Sequence, residues 1–162
     1  MGVMDFLRTH ALSREVADAE GTAQRVFEAA NHLAGEPFFA HTQLTQLSGG
    51  QSRALMIADT ALLSWSPVLL IDEIENAGVD KRKALDLLLA SDKIIVMATH
   101  DPVLALAADR RLVFEQGAVA AVLARTPAED TLLARLVDME RQWSDVRDAL
   151  RKGADMAAWA EG

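Results

Sequence analysis

The chain has 162 residues, 51% of them hydrophobic and 25% charged, so it is long enough to form a globular domain with a core. Its formal net charge of −8 argues against non-specific binding to nucleic acid, and the lack of cysteine excludes disulfides and thiolate metal sites. No apolar stretch approaches the roughly 18 residues of a membrane span, and the N-terminus has no signal-peptide pattern, so we expect a cytoplasmic protein.

The N-terminal segment is predicted to be helical. Apolar residues at helical spacing begin at Val3, and a second set predicts a helix over Thr22 to Ala34 that Gly35 and Pro37 end. Ser13 with Val16 can open a helix before it, which Gly21 is expected to weaken or interrupt. Three histidines in this segment show no metal-ligand spacing, so we expect solvated or capping roles for them: His10, His32 and His41.

A stronger helix signal follows at Ser48-Gly49-Gly50-Gln51. Ser48 is a good N-cap and Gln51 stands at N3, so the pair fits a capping box that opens a helix to about Ser64. Gly49 and Gly50 leave backbone N–H groups bare in the first turn, which makes this helix end a candidate phosphate site. Taken alone, the segment also fits an ordinary capped helix.

Polar residues follow two apolar runs that are predicted to be buried parallel strands. Val68–Ile71 leads into Asp72 and Glu73, and Ile94–Met97 leads towards His100. Ligands of α/β proteins bind at the carboxyl ends of such strands. Asp72 could hold Mg²⁺, directly or through water, Glu73 could orient or deprotonate an attacking water, and His100 could contact a terminal phosphate. A solvated turn and a structural histidine are the alternatives.

Further helices and strands alternate after this point, which requires parallel strands with right-handed crossovers. The predicted elements are a helix over Lys81–Ala90, a helix capped by Asp101-Pro102, and two strands over Arg111–Glu115 and Ala118–Leu123.

A long C-terminal helix is predicted from Thr126-Pro127-Ala128-Glu129, which is a capping box with proline at N1, to about Lys152. Six apolar residues in it are spaced 4, 3, 4, 3, 4 and form a heptad seam: Leu132, Leu136, Met139, Trp143, Val146 and Leu150. The seam can pack on the sheet of its own domain, which we favour, or pair two chains.

In this order and spacing, the motifs resemble the ATPase domain of ATP-binding-cassette (ABC) proteins. Leu47–Gln51 is identical to the LSGGQ signature of that family, and Val68–Asp72 is similar to its Walker B strand. Glu73 stands at the position of the catalytic glutamate, His100 matches the switch histidine, and Asp80 is the counterpart of the D-loop aspartate. The resemblance covers the chain from about Leu47 to about Gln116.

ABC ATPases work as two cassettes facing head to tail, with ATP bound by the Walker A loop of one and capped by the signature of the other. The resemblance therefore implies three sets of site residues. They are nucleotide-binding Ser48, Gly49, Gly50, Gln51 and Asp80, the Mg²⁺ ligand Asp72, and catalytic Glu73 and His100.

The chain also departs from the family pattern. No Gly-x-x-x-x-Gly-Lys-Ser/Thr occurs in it, so ATP and Mg²⁺ are expected to bind only when a Walker A loop is supplied. Arg53 is one of the basic residues usual in the signature helix, but Asp59 stands where a second arginine is common. The loop after Glu73 is about one residue longer than usual, so Asn76 could share the role of Asp80.

We predict an α/β fold containing part of a P-loop NTPase-like parallel sheet with helices. A helical subdomain over residues 1–46 precedes the C-terminal part of the ABC core over 47–124, and a C-terminal helix and tail occupy 125–162.

The leading functional hypothesis is the C-terminal part of an ABC ATPase that couples ATP binding and hydrolysis to transport when complete, and is inactive as an isolated chain. A split or regulatory half-cassette that acts by protein–protein interaction is the first alternative, and a soluble non-transport ABC ATPase is the second. Expected partners are a second cassette or an N-terminal half-domain, a membrane permease that would bring the chain to the membrane, and further copies of itself through an exposed sheet edge. No nucleic-acid partner is expected.

Overall fold

The computed structural model describes residues 1–74 and 78–155, which fall into two compact units, Met1–Thr99 and His100–Gly162. The first unit contains α1 (Val3–Ser13), α2 (Ala19–Leu33), a 3₁₀ turn (Leu44–Gln46), α3 (Gly49–Leu63), β1 (Val68–Asp72), α4 (Lys81–Leu89) and β2 (Ile94–Ala98). The second contains α5 (Pro102–Ala107), β3 (Arg110–Glu115), β4 (Ala118–Ala124) and α6 (Pro127–Arg151). None of the described helices combines the length and apolar character needed to cross a membrane.

The core of the first unit lies between α1, α2 and α3. Each helix turns an apolar stripe towards its neighbours, as the helical spacing predicts. The largest fully buried side chains here belong to Val3, Leu7, Val26, Leu33 and Leu63.

Gly21 lies inside α2 and does not interrupt it. Asp18 is the N-cap of this helix, and its carboxylate accepts a hydrogen bond of 2.9 Å from the Gly21 N–H group. A Cβ atom at Gly21 would stand only 2.1 Å from the Asp18 carboxylate oxygen, so the glycine makes room for the cap. The expected interruption is therefore wrong.

Strands β1 and β2 pair in parallel, as predicted, with Val68 opposite Ile94 and Asp72 opposite Ala98. One face of this two-stranded sheet is covered, and Leu69 on it is only 4% exposed. The other face is bare, because Leu70 is 81% exposed and Ile94 65%. The prediction that both strands are buried is therefore right for one face only.

The second unit contains an antiparallel hairpin of β3 and β4 with an irregularity between Val113 and Phe114. Its turn residues Gln116 and Gly117 have φ values of 50° and 80°, which suits the left-handed backbone of a tight hairpin turn. Helix α6 opens with the predicted capping box between Thr126 and Glu129. It ends near Gly153, whose φ of +71° ends a helix readily.

The mixture of helices and strands with a small parallel sheet is compatible with the predicted α/β class. The boundary between the two units follows Thr99, inside the segment predicted as the ABC core. The P-loop NTPase-like architecture and the division into 1–46, 47–124 and 125–162 stay predictions.

Candidate functional site

The N-terminus of α3 has the predicted capping box. The Ser48 hydroxyl accepts a hydrogen bond of 3.2 Å from the Gln51 N–H group, and the Gln51 side-chain oxygen accepts one of 2.9 Å from the Ser48 N–H group. These two bonds fix the chain direction at the start of the helix, so the first turn forms without fraying.

The other end of the Gln51 amide holds the preceding loop. Its Nε2 atom lies 3.3 Å from the Glu36 carbonyl oxygen and 3.4 Å from that of Pro37, and donates to both. Gln51 therefore uses both ends of its amide within the first unit. A direct contact between Gln51 and a nucleotide stays a prediction.

Gly49 and Gly50 present the first backbone donors of α3. A helix has no carbonyl one turn earlier for these N–H groups, so they can bind an anion. A Cβ atom added to Gly49 would meet nothing within 4 Å, which leaves space beside the first turn of the helix. The chain returns beside them at Gly78, where an added Cβ would lie 3.6 Å from the Gly50 Cα atom. Donors and open space together fit a phosphate group.

Asp80 lies in the same unit as the N-cap of α4. Its carboxylate accepts from the N–H groups of Arg82 at 3.1 Å and Lys83 at 3.2 Å, and its own N–H group donates to the Leu33 carbonyl at 3.0 Å. Lys83 also donates to the His32 carbonyl at the end of α2. Asp80 thus has a structural task, and its nucleotide contact stays a prediction.

The predicted sharing of the role of Asp80 with Asn76 falls on a residue outside the described part of the chain.

Asp72 and Glu73 lie exposed at the carboxyl end of β1, as the sequence predicts. The Glu73 N–H group donates to the Ala98 carbonyl at 3.0 Å, which extends the pairing with β2 by one bond. Glu73 has a φ of 45°, a left-handed conformation that is uncommon for a residue with a side chain and that clusters at functional sites. The catalytic role of Glu73 stays a prediction, which this backbone favours.

Among the described residues, no group of three His, Asp or Glu side chains could hold a metal ion by itself. A lone carboxylate such as Asp72 suits Mg²⁺, since Mg²⁺ keeps several waters and takes further oxygens from nucleotide phosphates.

His100 is the first residue of the second unit and is exposed. It directly precedes Asp101, whose carboxylate caps α5 by accepting from the N–H groups of Val103 at 2.9 Å and Leu104 at 3.0 Å. The cap of α5 thus begins directly after His100 within the second unit. Its role as the switch histidine stays a prediction.

A contact that the sequence did not reveal joins α1 to the signature helix. His10 Nδ1 lies 2.8 Å from an Asp59 carboxylate oxygen, and the Arg14 side chain lies 3.3 Å from His10 Nε2. Because Arg14 can only donate, Nε2 accepts and Nδ1 donates its proton to Asp59. The expectation of a solvated or capping His10 is wrong, because its side chain is only 23% exposed. The only sign of this contact in the sequence was the unusual aspartate at position 59. The sequence did not show that its partner is His10, 49 residues away.

An aromatic groove borders the loop that Gln51 holds. We define it by Phe27, Phe38, Phe39 and His41, which line an open cavity of about 580 Å³. The Phe27 and Phe38 rings meet edge to face at 5.7 Å, while the Phe39 ring stacks on His41 and is 71% exposed. The groove thus places one exposed aromatic ring beside the loop that Gln51 holds.

The chain matches no protein-family model. It is 44% identical over 153 residues to an uncharacterised ABC transporter ATP-binding protein of Methanocaldococcus jannaschii. The match covers 94% of this chain but 58% of that relative, so the chain spans less than two thirds of the relative's length. The similarity supports an ABC-type ATP-binding protein, the class to which the signature and Walker B motifs point.

Proposed function

We propose that the chain is the C-terminal part of an ABC-type ATPase that couples ATP binding and hydrolysis to transport once a Walker A segment is present. The observation that carries this proposal is the start of α3, where the capping box of Ser48 and Gln51 opens the helix and Gly49 has open space at its Cβ position. Such a helix end binds phosphate through backbone donors and the helix dipole.

Five of the predicted residues have a direct task in this mechanism. The Gly49 and Gly50 N–H groups bind the γ-phosphate of a nucleotide held by a second cassette. At the nucleotide of its own cassette, Asp72 would hold Mg²⁺ directly or through water, and Mg²⁺ would neutralise charge on the phosphates. Glu73 orients the attacking water and accepts its proton, while His100 donates towards the terminal phosphate.

The bare face of the parallel sheet is an argument for a companion segment that covers it. Parallel sheets are almost always covered on both faces, yet Leu70, Ile94 and Val96 are 81%, 65% and 45% exposed. The relative has a large part of its length outside the match, which is room for such a segment. We propose that a half-domain carrying the Walker A loop, joined to this chain or separate, packs on this face.

The aromatic groove is the surface we assign to a membrane permease. Gln51 connects it to the signature, because its amide binds the loop at Glu36 and Pro37 that leads into Phe38 and Phe39. A partner that moves this loop would move the start of α3 with it. Phe39→Asp is expected to abolish permease binding and to leave the Asp18 cap at the start of α2 intact.

Phosphate release from Mg-ATP tests the proposal. The purified chain alone is expected to release none, and the chain with a Walker A half-domain is expected to be active. Glu73→Gln should remove that activity. Glu115→Gln is the matched control, because Glu115 is an exposed glutamate at the end of another strand. Turnover by the chain alone that disappears in Glu73→Gln would contradict the proposal.

The bare sheet face also supports a second candidate, a regulatory half-cassette that binds a companion without hydrolysing ATP itself. The ATPase and the half-cassette proposals predict different masses for the native polypeptide. An intact mass clearly above 17.6 kDa, with a Walker A loop on the same polypeptide, would favour the ATPase, while a native product of 17.6 kDa would favour the half-cassette.

A further inference from the structure

The neighbours of the Gln51 amide determine its orientation. Its oxygen lies 2.9 Å from the Ser48 backbone nitrogen, whose N–H group can only donate. Its nitrogen lies 3.3 Å and 3.4 Å from the Glu36 and Pro37 carbonyl oxygens, which can only accept. Exchanging the amide oxygen and nitrogen would lose all three hydrogen bonds. One end of the amide therefore closes the capping box of α3, and the other end binds the preceding loop.

The capping box alone does not require glutamine at position 51. Glutamate fits this position as well, because only a side-chain oxygen is needed to accept from the N–H group of the N-cap residue. A carboxylate also suits the positive end of the helix dipole. An amide can in addition donate to a carbonyl, which a carboxylate cannot do. The feature of this side chain that requires glutamine is thus the Nε2 group, which faces the loop.

The loop that this amide holds is anchored at both of its ends. We call residues 35–39 the groove loop, because they lead into the aromatic groove. Before it, the Leu33 carbonyl accepts from the Asp80 N–H group at 3.0 Å. After it, the Ala40 carbonyl accepts from the Met4 N–H group at 3.0 Å. The ends of the groove loop are therefore set by backbone bonds to α1 and to the start of α4.

Side chains hold the groove loop between these anchors. The Asn31 side-chain oxygen accepts from the Phe38 N–H group at 2.8 Å, and the Thr42 hydroxyl accepts from the Phe39 N–H group at 3.1 Å. In the part of the chain that the structure describes, Gln51 is the side chain that donates to the two carbonyls just before Phe38. The exposed ring of Phe39 and the start of α3 thus belong to one connected set of hydrogen bonds.

We infer that Gln51 is a positioning residue that couples the groove loop to the phosphate-binding end of α3 and does not itself contact the nucleotide. Both ends of its amide are in use, so a contact with nucleotide would break one of them. A partner that shifts the groove loop moves the Gln51 amide and, through its oxygen, the Ser48 N–H group. The coupling is reciprocal, so a phosphate bound at α3 also affects the groove loop. This coupling deepens the proposed function, and only its effect on catalysis rests on that proposal.

Hydrogen exchange of single backbone N–H groups, followed by NMR on the free chain, tests the coupling. Gln51→Glu keeps an oxygen for the capping box and removes only the donor to the groove loop. We expect the Phe38 and Phe39 N–H groups to exchange about fivefold faster, the effect of one lost hydrogen bond. The Ser48 N–H group should change by less than about twofold, because its acceptor remains. Unchanged exchange of Phe38 and Phe39 would overturn the inference.

Gln46→Glu is the matched control for the added charge. Gln46 stands at N3 of the 3₁₀ turn before α3, where its side-chain oxygen accepts from the Gln43 N–H group. Within the described residues, no hydrogen bond joins Gln46 to the groove loop. Gln46→Glu should therefore change the exchange of Phe38 and Phe39 by less than about twofold. Circular dichroism checks that both variants fold.

A second variant tests whether a change in the groove loop reaches α3. Asn31→Leu removes the acceptor of the Phe38 N–H group and leaves α3 untouched. The Phe38 and Ser48 N–H groups should both exchange faster, by about fivefold and about twofold. In the double variant with Gln51→Glu, the effect of Asn31→Leu on Ser48 should disappear, because the connection is cut. A side chain that merely stabilises the fold would give additive effects, and additive effects or an unchanged Ser48 in Asn31→Leu would overturn the inference.

The complex with a Walker A half-domain adds a catalytic readout. Gln51→Glu should lower kcat for Mg-ATP about fivefold or more and change KM by less than about twofold, because a positioning residue acts on the reacting phosphate while the Walker A loop holds the nucleotide. A direct nucleotide ligand would raise KM instead, and that result would overturn the inference. An inactive complex of the parent chain would contradict the proposed function only, since exchange in the free chain decides the coupling.

Discussion

The contact between His10 and Asp59 yields the sharpest prediction for the first unit. Asp59 has a side chain only 14% exposed, so its carboxylate depends on His10 for compensation. Asp59→Arg would place a cation against His10 and near Arg14, whose side chain already donates to that ring. Replacing one partner of a largely buried hydrogen-bonded pair leaves the other unpaired, which costs about 1–3 kcal/mol, and Asp59→Arg also places a second guanidinium beside that of Arg14, so we expect a loss of about 3 kcal/mol.

Urea unfolding followed by circular dichroism measures this loss. Asp86→Arg is the matched control, because it changes the charge equally at an exposed position of α4 and should stay within about 0.5 kcal/mol of the parent. A double-mutant cycle of His10→Ala and Asp59→Ala should give a coupling of about 1 kcal/mol. The contact would be unimportant if the two alanine substitutions had additive effects on the free energy of unfolding and Asp59→Arg left that free energy unchanged.

Three further predictions concern the helix cap at Ser48, the two faces of the parallel sheet and the stability of the protein at low pH. Ser48→Ala should lower the free energy of unfolding by about 1 kcal/mol, and Ser48→Asp, also a good cap, should not; equal losses in urea denaturation would contradict the capping role. Leu69→Asp should prevent folding of the first unit, whereas Leu70→Asp should leave it folded and block a Walker A half-domain in a pull-down; binding by Leu70→Asp would count against the proposed companion face. Hydrogen bonds from the Arg111 guanidinium and the Thr126 backbone hold the pKa of Glu129 below its usual 4.5. The stability that Glu129 provides is thus present at neutral pH and lost as the pH falls through this lowered pKa, so Glu129→Gln should flatten melting temperature against pH in that acid range, and an unchanged slope would argue against the ion pair.

The sequence predicted those parts of the fold that depend on neighbouring residues. The capping boxes at Ser48 and Thr126 formed as predicted, because each needs only a partner three residues away. The parallel pairing of β1 with β2 was predicted from two apolar runs separated by a helix. Local chemistry sets these features, so a single sequence suffices to find them.

Contacts between distant residues were not predictable in the same way. The sequence singled out Asp59 as unusual, but only the packing of α1 on α3 shows that its partner is His10. The close approach of Gly78 to Gly50 likewise depends on where α2 ends and α4 begins. Gly21 was misjudged because its role depends on the side chain of Asp18, whereas the propensity scale counts only the cost of glycine in a helix.

The difference in strand burial leads to a further conclusion about assembly. Val68–Ile71 and Ile94–Met97 are continuous apolar runs, the pattern of strands covered on both faces, whereas an alternating pattern is typical of a sheet with one wet face. The isolated chain covers only one face, so we expect a further segment to cover the other. The uncovered face of the sheet is more apolar than the isolated chain requires, which is the physical basis for the proposed companion segment.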